Sequence, residues 1–254
     1  MSREIRIVDD AAALHRDSAA VFINIANDAI RAHGRFTVAL AGGSTPKGLY
    51  SLLADKYRDQ LSWKDVYFFF GDERHVPPDD RDSNFRMANE TMLSKLPIIS
   101  SQVARIKGEY KDPGQAAAEY EQTLVRFFHL APGGFPAFDL VLLGTGNEGH
   151  TLSLFPGTKA LHEQQLLVVS NWIGKLYTHR ITMTAPVINN AAHVIFMATG
   201  KDKALALKGV LEGPYEPEQL PAQMIQPNGT LMWFLDREAA SLLDTVAPVN
   251  TRTA

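Results

Sequence analysis

Two hydrophobic periods alternate along this chain. Short continuous apolar runs, the mark of buried strands, are separated by longer segments in which apolar side chains return at helical spacing. Ile5-Arg6-Ile7-Val8 predicts a first strand. Asp9 and Asp10 stand where a helix cap belongs, and Leu14, Val21, Phe22, Ile25 and Ala29 share one face of the helix that follows, which Gly34 stops. Phe36 to Ala41 predicts a buried strand, Gly42 to Pro46 a loop, and the next segment a helix with Leu49, Tyr50, Leu52 and Leu53 turned inward. Pro46 suits the first turn of that helix. Val66 to Phe70 predicts another strand, residues 84–95 a helix and residues 103–106 a short strand. Asp112-Pro113 opens a long helix with Tyr120, Leu124, Phe127 and Phe128 on one side, ended by Pro132-Gly133-Gly134.

Strands are further expected at 138–143, 166–170, 180–184, 193–199 and 231–235, with a helix over 201–211. Asp236 is placed to cap a final short helix, and the tail beyond Pro248 reads as frayed. Because strands alternate with helices and are apolar throughout, the expected fold class is α/β, with a largely parallel sheet covered by helices on both faces. The Pro- and charge-rich loops at 76–83 and 213–220 do not separate two complete cores. One catalytic domain spanning 1–254 is expected.

Composition narrows the function classes. The chain of 254 residues is 45% hydrophobic and 21% charged, ordinary for a globular protein. Its net charge of -3 is spread without a basic stripe, so no nucleic-acid partner is expected. It has no cysteine, which excludes disulfides, thiol catalysis and cysteine-ligated metals. The N-terminal MSREIRIVDD has no apolar core of a secretory signal, and no run approaches the roughly 20 apolar residues of a membrane helix. A cytoplasmic protein with no membrane partner is expected.

Three loops at strand ends carry candidate chemistry. Ligands of open α/β sheets bind beyond the carboxyl ends of the strands. The first loop is Gly42-Gly43-Ser44-Thr45-Pro46. Its glycines let backbone approach a ligand, the following helix offers free N–H groups, and two hydroxyls are at hand. This suits a phosphate, although neither the P-loop nor the dinucleotide fingerprint is present; the same residues also serve as an ordinary helix cap. The second loop is Gly71-Asp72-Glu73-Arg74-His75. Arg74 can hold a phosphate or carboxylate through two parallel hydrogen bonds, and Asp72 and Glu73 can orient hydroxyls or another side chain.

The third loop lies in FDLVLLGTGNEGHTLSLFPGT, residues 138–158. His150 is the best single candidate for a general base, with Glu148 placed to fix its tautomer or to act on the substrate. No ligand spacing supports a metal site. Two later cations join the set. Arg180 opens a strand, which puts it at the wrong end of the sheet unless that strand is antiparallel or an edge. Lys203 follows Gly200 near a helix start, where the helix dipole disfavours a cation unless an anion is bound.

Over roughly residues 5–240 these motifs resemble the 6-phosphogluconolactonase family. The resemblance is carried by Ala41 to Pro46, by Gly71 to Arg74 through Pro77 with Ser83-Asn84-Phe85, and by Gly149-His150-Thr151 with Ser153 to Pro156. Arg180-Ile181-Thr182, Gly200 with Lys203-Ala204, Pro221-Ala222, and Trp233 with Asp236 complete the ordered set. It implies a Rossmann-like open sheet similar to those of glucosamine-6-phosphate deaminases and ribose-5-phosphate isomerases. It further implies hydrolysis of 6-phospho-D-glucono-1,5-lactone without a cofactor, by a monomer or homodimer whose partner is the small sugar phosphate lactone.

Carried over, the resemblance makes His150 the general base, supported by Glu148, Asp72 and Arg74. It puts Gly42, Gly43, Ser44, Thr45, Arg74, Arg180 and Lys203 around the phosphate or nearby sugar oxygens. Three positions depart from the family pattern: Glu148 stands for a usual Asp, Leu152 for a usual Ala, and Lys175-Leu176-Tyr177 for a frequent Lys-Pro-Pro. The longer carboxylate moves its charge by about 1.5 Å. An amino-sugar-phosphate deaminase or isomerase shares the glycine loop and the Gly-His pair. It is expected to show Asn-Glu-Pro in place of Leu154-Phe155-Pro156 and Asp-Glu-Tyr in place of Asp72-Glu73-Arg74. A non-catalytic sugar-phosphate binder is the remaining alternative; the helix-turn-helix of sensing regulators finds no room before Ile5 or after the last helix.

Overall fold

The computed structural model describes residues 2–244, and the frayed tail expected after Pro248 lies outside them. Strand β1 (Ser2–Val8) leads to helix α1 (Ala11–His33), whose N-terminus Asp10 caps by accepting from the Ala13 N–H. Gly34 closes it at φ 80°, in the left-handed region. Leu14, Phe22 and Ala29 are buried along the apolar stripe, and Val21 and Ile25 pack at its edge. Strand β2 (Phe36–Leu40), buried along its whole length, is followed by α2 (Ser44–Lys56). Strand β3 (Val66–Phe70) comes next, and the chain then runs through β4 (Asp72–Arg74) to α3 (Asn84–Thr91) and α4 (Pro113–Phe128). After these come β5 (Leu140–Gly144), β6 (Val168–Ile173), β7 (Thr178–Met183) and α5 (Ala185–Asn189). Strand β8 (His193–Ala198), α6 (Ala204–Glu212) and β9 (Thr230–Asp236) complete the order.

Six strands form one sheet in the order β1-β9-β8-β5-β2-β3, and every pair is parallel. The expected α/β class with an open parallel sheet flanked by helices is therefore present. Chain order reverses at the centre: β2 steps outward to β3, whereas β5 steps the other way to β8 and β9. The crevice beyond β2 and β5 is thus the topological switch point where open sheets bind ligands. Two buried tyrosines finish the strand ends nearby. The Tyr50 hydroxyl accepts from the Ala41 N–H at 2.9 Å and donates to its carbonyl at 2.8 Å. Tyr120 does the same for Phe70 at the edge strand β3, at 2.8 and 3.0 Å. The hydroxyls satisfy backbone groups that would otherwise be buried and unpaired.

A second sheet departs from the alternating pattern. Strands β4, β7 and β6 pair antiparallel in the order β4-β7-β6. The segment Gly71–His75, expected as a loop, contains a strand. Gly71 is the transfer point: its N–H donates to Leu40 of the large sheet at 3.0 Å, and its carbonyl accepts from Met183 of the small one at 2.8 Å. Arg180 accordingly lies inside an antiparallel strand that begins at Thr178, rather than opening a parallel one.

Other boundaries also moved. The helix expected over 84–95 ends at Thr91 and continues as a 3-10 turn at Leu93–Lys95. The strand expected at 103–106 reduces to a single bridge between Val103 and Phe68. The final helix after Asp236 is a series of turns, which Asp236 still caps by accepting from the Ala239 N–H at 2.7 Å.

Candidate active site

A cleft of about 250 Å³ opens at the switch point, and Gly42, Gly43, Asp72, Arg74, His150 and Lys203 line it. Four chain segments far apart in sequence supply these residues, each at the carboxyl end of a strand or in the small sheet.

Gly43 has φ 104°, a conformation that suits glycine, and no side chain caps the first turn of α2 behind it. The opening N–H groups of that helix therefore have no intrahelical acceptor. Thr45 is tied to Thr199 by a hydroxyl pair at 2.8 Å, which fastens the loop to the end of β8. Ser44 and Thr45 themselves are not on the cleft wall.

The acidic residues of the small sheet divide their tasks. Glu73 is buried, and its carboxylate accepts from the N–H groups of Arg74, Asn84 and Phe85 at 2.7 to 2.8 Å and from the Ser83 hydroxyl at 3.0 Å. Burial pushes its pKa up, and these donors, from the start of α3 and from β4, hold the rise back. Glu73 is a fastener between β4 and α3. Asp72 stays on the cleft wall, held by Asn84 Nδ2 at 3.1 Å and by the Ser153 hydroxyl at 2.7 Å. Ser153 lies 81 residues away along the chain, so no local pattern announces that bond.

Arg74 and Arg180 are direct register partners across β4 and β7. Arg74 spends one terminal nitrogen on the Asp82 carbonyl at 2.9 Å. The Nε atoms of both arginines are buried without a partner among the described residues. Burial, followed by the charge of Arg74, lowers the pKa of Arg180. Two like charges facing each other with buried unused donors form an arrangement that an anion would relieve. Arg180 does not itself line the cleft.

His150 returns to the cleft through a tight turn. The Gly146 N–H donates to the His150 carbonyl at 2.9 Å, and the Thr151 hydroxyl donates to the Gly144 carbonyl at 2.9 Å. The imidazole lies against Gly146: a Cβ there would stand 2.0 Å from a ring carbon. Phe155 stacks on the ring, with centroids 4.0 Å apart at 20°. Nδ1 is 3.0 Å from Glu148 Oε1. An ionised carboxylate only accepts, so Nδ1 carries the proton and Nε2 keeps its lone pair. Burial lowers the His150 pKa, and Glu148 partly offsets it. Partial burial works to raise the Glu148 pKa, but the Lys175 hydrogen bond and the charge of His150 prevail and lower it.

Glu148 therefore stands behind His150 rather than on the cleft wall. Lys203 reaches Asn147 and, at 3.0 Å, Asp202. Asn147, Asn84, Thr145 and Lys175 are among the polar residues that sequence reasoning passed over as site groups; Asn147 and Thr145 sat inside the glycine-rich loop, which was a usable signal. Among the described residues, no group of three or more His, Asp or Glu side chains is placed to hold a metal ion. No helix there is long and apolar enough to cross a membrane.

A family model described as glucosamine-6-phosphate isomerases/6-phosphogluconolactonase matches residues 9–233. The chain belongs to this family. Among the relatives, a 6-phosphogluconolactonase of a Nostoc species is 41% identical over 244 residues, covering 96% of this chain and 99% of its own. One from a Synechocystis species is 44% identical over 216 residues, covering 85% and 88%. The structure of 6-phosphogluconolactonase from Trypanosoma cruzi superposes with a TM-score of 0.83 at 31% identity, over 95% of this chain and 97% of that one. Of the motif residues quoted from the sequence, Ala41, Gly42, Gly43, Asp72, Arg74, Asn84, His150 and Lys203 line one cleft, whereas Ser44, Thr45, Arg180, Pro221, Ala222, Trp233 and Asp236 do not.

Proposed function

We propose that this member of the family hydrolyses 6-phospho-D-glucono-1,5-lactone to 6-phospho-D-gluconate. The observation that carries the chemistry is the 3.0 Å contact of His150 Nδ1 with Glu148 Oε1 in a residue that lines the cleft: the carboxylate assigns the proton to Nδ1 and leaves Nε2 as the basic nitrogen. In this reading His150 Nε2 takes a proton from water as the water oxygen attacks the lactone carbonyl. The tetrahedral oxyanion collapses, the bond from the carbonyl carbon to the ring oxygen breaks, and His150 returns its proton to that oxygen. Water and one base balance the step. A positioned base is worth about 10²–10⁴-fold.

Arg74 and Arg180, with the opening N–H groups of α2, form the anchor for the phosphate. Their unused buried donors support that role. Lys203 is then left for the developing oxyanion, and Asp72 for sugar hydroxyls that donate to it. Phosphate binding remote from the carbonyl supports orientation of the reacting bond.

The test is lactone consumption above the spontaneous rate, with glucosamine 6-phosphate as the competing substrate. Ammonia release without lactone turnover would reverse the reading. Tight binding of 6-phosphogluconate without turnover would make the protein a binder only.

A further inference from the structure

The β6–β7 hairpin carries a lysine into the rear of the site. Lys175 lies in its connecting turn, where Tyr177 takes φ 49°, and is 27 residues from Glu148 along the chain. Its ammonium reaches Glu148 Oε1, the same oxygen that meets His150 Nδ1. It also lies over the Phe155 ring, 4.7 Å from the centroid, on the aromatic side chain that stacks against His150. One cation thus bears on both groups that hold the imidazole, its carboxylate partner and its stacking partner.

We propose that Lys175 is a positioning residue: from the hairpin it fixes Glu148 and Phe155, and through them the orientation of His150. This rests on the reading of His150 as the base. The longer reach of Glu148 makes the device necessary. A glutamate has one more rotatable bond than an aspartate, and without a second partner it samples positions that do not meet Nδ1. Lys175 removes that freedom by holding the oxygen that His150 needs. Neither end is deeply buried, since the Lys175 and Glu148 side chains are 45% and 39% exposed. The pair therefore adds little to global stability, and its effect falls on local geometry. Both residues also line, with Phe155, a recess of about 650 Å³, and neither lines the cleft to which His150, Arg74 and Lys203 belong.

The experiment compares Lys175→Met and Lys175→Arg with the parent and with His150→Ala. It reads kcat, KM and the pH profile of lactone hydrolysis, and the NMR titration of His150. The charged groups facing His150 are Glu148, Lys175 and Asp72, with Arg74 and Lys203 across the cleft. Of these, only Lys175 is altered. Lys175→Met is expected to lower kcat about tenfold with KM within about twofold, the scale of a misoriented catalytic group. It should also move the His150 titration upward, because a cation that opposes the imidazolium has gone. Lys175→Arg should restore most of both. An unchanged kcat and an unchanged His150 titration in Lys175→Met overturn the proposal. The titration reads the coupling without turnover. If His150→Ala stays active, the base assignment fails, whereas the titration still decides whether Lys175 acts on His150.

Discussion

Arg74 and Arg180 face each other across the small antiparallel sheet, and each keeps a buried Nε that has no partner among the described residues. Such a pair is poor for the stability of the free protein and well suited to an anion. Arg180→Met is therefore expected to raise KM for the lactone about 10- to 100-fold, the equivalent of one charge-assisted hydrogen bond of about 1.5–3 kcal/mol. The unliganded Tm should hold or rise. Inorganic phosphate should raise the Tm of the parent by mass action and leave that of Arg180→Met unmoved. Calorimetry with and without phosphate checks both.

The pH dependence follows from His150. Burial holds its pKa below the usual histidine value near 6.5. The basic form is the neutral one, so kcat/KM should stay level through neutrality. It should fall only as the pH drops below that usual value and through the lowered pKa. His150→Ala and His150→Gln should both lose about 10²-fold or more in kcat. Glu148→Gln should be worse than Glu148→Asp, which keeps the acceptor for Nδ1. Stopped-flow pH profiles corrected for spontaneous hydrolysis read all four.

Gly146→Ala tests the close approach of the ring. The new Cβ would stand 2.0 Å from the imidazole, so the ring must leave its place. Expected is a kcat loss of about tenfold or more with little change in KM, in a protein whose far-UV circular dichroism matches the parent.

Glu73 is expected to matter for stability. Removing its carboxylate in Glu73→Ala strands two N–H groups and a hydroxyl at the start of α3 and the Arg74 N–H in β4. A cost of about 2–4 kcal/mol follows from one or two unsatisfied buried donors, or a Tm lower by about 4–16 °C at this chain length. Thermal denaturation of Glu73→Ala beside Asp72→Asn, which leaves those donors paired, separates the two neighbouring acids.

The sequence by itself determined the large sheet and the candidate histidine at one of its strand ends. Runs such as Phe36 to Ala41 and Phe138 to Leu143 are apolar at every or nearly every position, and only strands buried on both faces allow that. The glycine-rich turns after them announce where backbone must bend sharply or approach a ligand, which places His150 at a strand end. The small sheet had no such signature. Asp72-Glu73-Arg74 is polar and too short to show a period, and it becomes a strand only because β7 offers it partners after Gly71 leaves the large sheet. The resemblance put Arg180 at the site, but the strand pattern alone put it at the wrong end of the sheet until its strand proved antiparallel, because strand direction is a property of pairing and not of composition. The contacts of Glu73, Ser153 and Lys175 were likewise decided by tertiary structure. Each acts through a partner 10 to 81 residues away, and contacts over such separations leave no periodic trace in the chain that makes them.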